Sequence, residues 1–321
     1  MKLLVLLPAY NEEKTIYQVI KNIPSRIEGI ETIEVLVIDD GSKDRTKENA
    51  ARAGAQVISL PENRGLSFVF QKGVEEALKR KAEVMVNIDA DGQFKSGDIA
   101  CLAKPIVRGE ADLVTASRFK DKKLILKMPW LKKWGNRTVS RLISLSVKKK
   151  FYDVSCGFRA YSREALLNLN LFGRYTYTHE TILNLAFKGL VIKEIPLEVR
   201  GEREFGESKI ARNLWRYGYQ ILNTIFRTLI DYKPLRYFGW TGITFFLIGL
   251  VFDFFTLFRL IFLGQIFPYK TIAFAGIILN AFGILLVIVG LIADMINRIR
   301  TTQERIMYLE KKKHYQEKNN I

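Results

Sequence analysis

The sequence predicts an α/β domain built on a mainly parallel sheet, followed by an amphipathic helix and two helices of membrane-crossing length. Three observations carry this. Short β-branched runs alternate with helical patterns through the first half of the 321-residue chain, the pattern of strands joined by crossover helices. Two stretches near the end, Phe238–Leu263 and Ile272–Ile296, are almost wholly apolar. Each exceeds the roughly 20 residues that cross a hydrocarbon core as a helix. The 50 Lys and Arg outnumber the 33 Asp and Glu, a formal net charge of +17, and beside apolar spans such an excess faces lipid phosphates.

The elements follow in order. Leu3–Leu7 reads as the first strand, Glu12–Ile23 as a helix, Ile33–Ile38 as the second strand and Lys43–Ala53 as the second helix. Val57–Leu60, Leu66–Lys79 and Val84–Ile88 continue the alternation. In open sheets of this kind ligands bind beyond the carboxyl ends of the strands. Pro8-Ala9-Tyr10-Asn11-Glu12-Glu13, Asp39-Asp40-Gly41-Ser42-Lys43-Asp44 and Asp89-Ala90-Asp91-Gly92-Gln93 follow three of those ends. The spacing Asp-x-Asp lets Asp89 and Asp91 share a hard cation such as Mg²⁺ or Mn²⁺, with an amide oxygen from Gln93 able to join. A lone Asp-x-Asp is as readily a helix cap; the three clusters together carry the reading.

The chain's middle and end address a membrane. Residues 118–150 hold Lys120, Lys122, Lys123, Lys127, Lys132, Lys133, Arg137, Arg141 and Lys148–Lys150 against Asp121 alone, interleaved with Met128, Trp130 and Trp134. Such a mixture suits an interface. Residues 209–234 repeat Leu214, Tyr217, Ile221, Ile225 and Leu229 at helical spacing, predicting an amphipathic helix in the headgroup layer. The two spans, within residues 235–297 and joined by Gly264–Lys270, form a hairpin. A basic tail, 298–321, follows. The positive-inside rule puts the α/β domain and both termini in the cytoplasm. Asp253 and Arg259, inside the first span, are expected to snorkel or pair along the helix. Association of the spans into a homo-oligomer is left open. Nucleic acid is not an expected partner. Cys101 and Cys156 lie far from any His, so both are assigned to packing. His179, a lone His beside Glu180, is expected to be exposed or capping.

Taken together, the three clusters resemble family 2 glycosyltransferases of the GT-A fold, in the branch of dolichyl-phosphate mannose synthases and bacterial polyprenyl-phosphate glycosyltransferases. The resemblance covers about the first 210 residues in order and spacing. Ser117-Arg118-Phe119, Asp153-Val154-Ser155-Cys156-Gly157-Phe158-Arg159 and Arg203-Glu204-Phe205-Gly206-Glu207-Ser208-Lys209 are similar to further elements of that branch, with Cys156 inserted where many relatives place Ser directly before Gly.

The resemblance implies that Pro8, Ala9, Tyr10, Glu12, Asp39, Asp40, Asp89 and Ala90 hold a nucleotide-sugar, UDP-glucose or GDP-mannose first among donors. It implies that Asp89, Asp91 and Gln93 hold the metal. Asp153 is expected to assist by orienting. Arg118, Lys132, Arg203, Ser208 and Lys209 are the expected contacts of a polyprenyl phosphate, Arg being suited to bidentate pairing. The Gln-x-x-Arg-Trp motif of processive polysaccharide synthases is missing, since Leu214-Trp215-Arg216 has the wrong order. Transfer of one sugar is therefore expected over polymerisation, over nucleotidyl transfer, and over a scaffold that has lost its carboxylates.

Overall fold

The computed structural model describes residues 1–121, 130–171, 177–199, 223, 226, 230, 232–264 and 267–317, with backbone alone at 130–132, 316 and 317. The chain falls into two compact units, residues 1–225 with 308–321, and residues 226–307.

The first unit is a seven-stranded sheet in the order β3-β2-β1-β4-β6-β5-β7. Its strands are β1 (Lys2–Ala9), β2 (Thr32–Asp39), β3 (Gln56–Ser59), β4 (Val84–Asn87), β5 (Leu113–Ser117), β6 (Arg159–Ser162) and β7 (Ile192–Pro196). The helices are α1 (Ile16–Lys21), α2 (Thr46–Arg52), α3 (Leu66–Lys79), α4 (Ile99–Val107), α5 (Trp130–Val147), α6 (Arg163–Asn168) and α7 (Tyr177–Phe187). β1 pairs in parallel with β2 on one side and β4 on the other, while β6 runs antiparallel to both β4 and β5. β1 is an unbroken apolar run because both of its faces are covered: Leu3 through Leu7 have no exposed surface, as a central parallel strand requires. The order of strands reverses direction between β1 and β4, and at such a switch point the loops diverge and leave a crevice at the carboxyl ends.

Both expected early helices begin later than the periodicity predicts, α1 at Ile16 and α2 at Thr46. Backbone N–H groups of the residues before them bond across loops. Asn11 and Glu12 donate their backbone N–H to Ser42 Oγ (2.9 Å) and Thr46 Oγ1 (2.8 Å). Lys43 N donates to Asn11 Oδ1 (2.9 Å) and Arg45 N to Glu13 Oε2 (3.2 Å).

The second unit holds α8 (Pro234–Leu263) and the first part of α9 (Lys270–Glu317). Both helices are long and apolar enough to cross a membrane by length and composition. Gly264 ends α8 in the left-handed conformation, φ 64°. The residues read as a basic tail from 298 onward are not a separate segment: α9 continues through them to Glu317. Tyr308–Glu317 bonds within the first unit, where Lys311 Nζ donates to Leu169 O (2.8 Å) and Tyr308 OH to Glu164 Oε2 (3.2 Å). Asp253 and Arg259 each have a partner other than one another. Asp253 accepts from Asn280 Nδ2 on the facing helix, and Arg259 stacks on the Tyr269 ring at 4.6 Å. Gly249 and Gly276 leave the space in which the Asp253–Asn280 pair sits. The expected helix over 209–234 and the residues Arg203, Ser208 and Lys209 lie outside the described residues, apart from scattered helical positions before Pro234.

Candidate active site

The three acidic loops meet at the switch point. Thr15 Oγ1, just after the β1 loop, donates to Ala90 O (2.7 Å), which ties that loop to the one following β4. Asp40 N donates to Ala9 O (2.8 Å) and carries the β1–β2 pairing one step past the strands. Pro8, Ala9, Tyr10, Glu12, Asp39, Asp40, Asp89, Ala90, Asp91 and Gln93 therefore belong to one continuous sheet edge.

The adjacent carboxylates of Asp39 and Asp40 do different work. Both oxygens of Asp40 accept backbone N–H groups, from Arg64 (2.7 Å) and Gly65 (2.9 Å), at the start of α3. Burial pushes its carboxyl above the usual range, against the opposing pull of those two bonds. Asp40 thus braces the loop before α3 from within the expected nucleotide edge. Asp39 Oδ1 accepts from Ser42 N (3.1 Å) across the turn. Gly41 makes this turn: its φ is +71°, and a Cβ there would lie 2.7 Å from the Glu62 carbonyl carbon.

In the third loop Asp91 is buried, and its Oδ1 accepts from Gln93 N (3.1 Å). Asp89 is half-buried. It faces Gly157, whose missing side chain leaves room for the Asp89 carboxylate and the Tyr177 hydroxyl together. Burial, and next the negative charge of Asp89, push the Tyr177 phenol well above its ordinary value. Asn87, two residues before Asp89 and on the same side of the chain, donates through Nδ2 to Gly157 O (3.0 Å) and Tyr177 Oη (3.2 Å). The Tyr177 ring stacks on Phe70 of α3 at 4.3 Å between centroids. Sequence reasoning missed Asn87 and Tyr177; an amide inside an otherwise apolar strand was the signal for the first.

On the other side of β6, Arg118 and Asp153 form a buried fork. Arg118 Nε and Nη2 donate to Asp153 Oδ2 (2.6 Å) and Oδ1 (2.9 Å), and Nη2 also reaches Ser155 Oγ (2.7 Å). Asp153 is 0% and Arg118 18% exposed. Burial by itself raises the Asp153 carboxyl, but the charge and hydrogen bonds of Arg118 outweigh it and hold the group below the usual carboxylate range. Glu194 of β7 accepts the backbone N–H groups of Tyr152 (3.0 Å) and Asp153 (2.9 Å) and fixes the loop. A carboxylate buried and doubly paired in this way holds the Arg118 guanidinium in a fixed direction. Ser155 Oγ donates to Asn136 Oδ1 (2.8 Å) on α5. The opposite face of α5 presents exposed Trp134, Leu145, Arg137 and Arg141, and Lys132 falls on the first turns of that helix.

Two expectations about lone residues change. His179 is buried, and burial followed by the charge of Arg159 lowers its pKa to about 3, so it stays neutral. Cys101 is exposed instead of packed, while Cys156 is buried and its thiol pushed up to about 12.

Sheet order and acidic edge define an α/β transferase of the Rossmann-like GT-A architecture. The chain belongs to glycosyl transferase family 2, whose sequence model matches residues 4–169. It is similar to glycosyltransferase AglJ of Haloferax volcanii, 29% identical over 95% of this chain and 97% of that one. It is also similar to the UDP-N-acetylglucosamine–dolichyl-phosphate N-acetylglucosaminyltransferase of Methanococcus voltae, 30% identical over 60% of this chain and 84% of that one. Among solved structures, glucosyl-3-phosphoglycerate synthase from Mycobacterium tuberculosis, in complex with Mn²⁺, UDP-glucose and phosphoglyceric acid, superposes with a TM-score of 0.56. It is 23% identical over 71% of this chain and 79% of that one, a likeness of fold.

Proposed function

We propose that this glycosyltransferase moves a single hexose from a nucleotide-diphosphate sugar to a polyprenyl phosphate at the cytoplasmic face of a membrane. The observation that carries the reading is one chain holding both the acidic switch-point edge and two helices long and apolar enough to span a bilayer. The relative from Methanococcus voltae, named for a dolichyl-phosphate acceptor, supports the same acceptor class. So does the exposed basic and aromatic face of α5.

The donor lies along the β1 and β4 loops, with Asp39 toward the nucleoside and Asp89 and Asp91 toward the diphosphate. Among the described residues no three His, Cys, Asp or Glu side chains group as a metal centre. The oxygens of Asp89, Asp91 and Gln93 nonetheless fit a hard cation that takes its remaining ligands from phosphate and water. Mg²⁺ or Mn²⁺ there would neutralise the leaving diphosphate as its charge grows. The acceptor oxygen attacks the anomeric carbon opposite the diphosphate, the bonding pair leaves with the nucleoside diphosphate, and the configuration inverts. A prenyl phosphate has a second pKa of about 6, so it arrives as the nucleophile and requires no side-chain base. Arg118, oriented by Asp153 and Ser155, contacts the acceptor phosphate together with Lys132, Arg203, Ser208 and Lys209.

Washed membranes holding the chain, given labelled UDP-glucose, UDP-N-acetylglucosamine and GDP-mannose with prenyl phosphates, test this by the mass of the lipid product. Transfer to none of the prenyl phosphates from any donor would sink it.

A further inference from the structure

Tyr177 is placed where it can aim a carboxylate it does not precede in sequence. Its hydroxyl, the Gly157 carbonyl and the Asn87 amide form a small buried set beside Asp89, in which the Asn87 NH₂ is the donor and Asn87 Oδ1 has no hydrogen-bond partner. The Gly157 carbonyl can only accept, so Asn87 must turn its NH₂ group toward it, at 3.0 Å. The second hydrogen of the same NH₂ then points at Tyr177 Oη, at 3.2 Å. The Tyr177 oxygen is therefore an acceptor toward Asn87, and its own proton must be directed away. The charge facing it is Asp89. A Cβ built on Gly157 would lie 3.2 Å from Tyr177 Oη and 3.3 and 3.4 Å from the two Asp89 oxygens, so hydroxyl and carboxylate converge on one point of the Gly157 backbone. Asn87 and Tyr177 are buried, which leaves little room for water to take that proton.

We propose that Tyr177 is a positioning residue for Asp89: its hydroxyl, oriented by Asn87 and lodged with Asp89 against Gly157, presents its dipole to the Asp89 carboxylate and fixes the direction in which that group meets the metal–diphosphate of the donor. The inference rests on the proposed donor site. It deepens it by naming the outer group that sets the geometry of one ligand; removal of such a group typically weakens metal affinity about 10- to 100-fold.

The test is Mn²⁺ binding to the full chain in detergent, in the presence of UDP, followed by the loss of the free-ion electron paramagnetic resonance signal. Tyr177→Phe keeps the ring on Phe70 and removes only the hydroxyl. It should weaken Mn²⁺ about 10-fold or more, with the melting temperature close to the parent's. Gly157→Ala, which forces Asp89 and Tyr177 apart, should weaken it in the same direction. Asp89→Asn is the reference. If Asp89→Asn leaves Mn²⁺ affinity unchanged, the donor-site reading itself fails. If Asp89→Asn weakens binding while Tyr177→Phe and Gly157→Ala both bind as the parent does, the positioning role is overturned and the site stands. A Tyr177→Phe variant that melts early yet binds Mn²⁺ normally would show a role in packing alone, and also overturns it.

Discussion

Removing the Asp153 carboxylate tests the buried fork. In the parent it receives Arg118 Nε at 2.6 Å, Arg118 Nη2 at 2.9 Å, Arg118 N at 3.2 Å and Ser155 N at 3.2 Å. Asp153→Ala leaves a guanidinium that is 18% exposed without its counter-charge. Breaking one side of a buried pair costs about 3–5 kcal/mol. Arg118 keeps Ser155 Oγ and some solvent, which places the cost at the lower end, about 3 kcal/mol. With about 2–4 °C per kcal/mol for a unit of 150–250 residues, the variant should unfold roughly 6–12 °C lower. Thiol labelling on heating reads this directly: Cys101 is exposed and reacts at once, whereas Cys156 is buried three residues from Asp153 and reacts only when the region opens. Arg118→Met with Asp153→Leu, which removes both charges, should recover most of the loss without recovering transfer. The depressed Asp153 carboxyl stabilises the fold fully above the unfolded value of about 3.9. That contribution fades as pH falls through the lower folded value. An Asp153→Ala chain whose Cys156 labels within about 2 °C of the parent would refute the account.

Asp40→Ala strips two N–H groups of their acceptor and should cost about 1–3 kcal/mol, read as an earlier melt and a raised donor KM. His179 is buried neutral, with a folded pKa of about 3 against about 6.5 unfolded. Its contribution to stability is complete above about pH 6.5 and falls with pH below that, by up to about 1.4 kcal/mol per unit. Replacement by Gln should flatten the melting-temperature slope between about pH 6 and pH 4. Asp91→Ala should abolish Mn²⁺-dependent donor binding, measured calorimetrically with UDP, while leaving membrane insertion intact; retained binding would count against the site.

How legible each part was depended on whether its cause is local. β1 was readable because a strand buried on both faces writes a continuous apolar run, and β2 and β4 because their buried stretches, residues 36–38 and 84–86, are apolar and β-branched-rich. β6 was not: it opens with Arg159, a fully buried charge that satisfies Thr178 O (2.7 Å) in the first turn of α7 and Val154 O (2.9 Å) in the segment just before the strand. The acidic edge was readable as a set, since all its members follow strands. The division of labour between Asp39 and Asp40 was not, because it depends on where the loop at Arg64 and Gly65 passes. His179 looked like a surface residue for the same reason; its burial comes from packing of α7, not from its neighbours in sequence.

The way α5 is held has a consequence for motion. Asn136, Ser140 and Ser144, spaced four apart, face the strand side and bond the backbone of Phe151 and Tyr152: Asn136 Nδ2 and Ser140 Oγ reach Tyr152 O at 3.3 and 3.2 Å, and Phe151 N reaches Ser144 Oγ at 2.9 Å. Water can replace each such rung, so each contributes only about 0.5–1.5 kcal/mol net, with Ile143 the fully buried apolar anchor. Over its described side chains, residues 133–147, the helix is fastened on this side by exchangeable bonds around the single fully buried apolar residue Ile143. Its amides should therefore exchange with deuterium through a partial opening that leaves the central sheet closed, giving the exposed face of Lys133, Arg137 and Arg141 its own thermodynamic freedom.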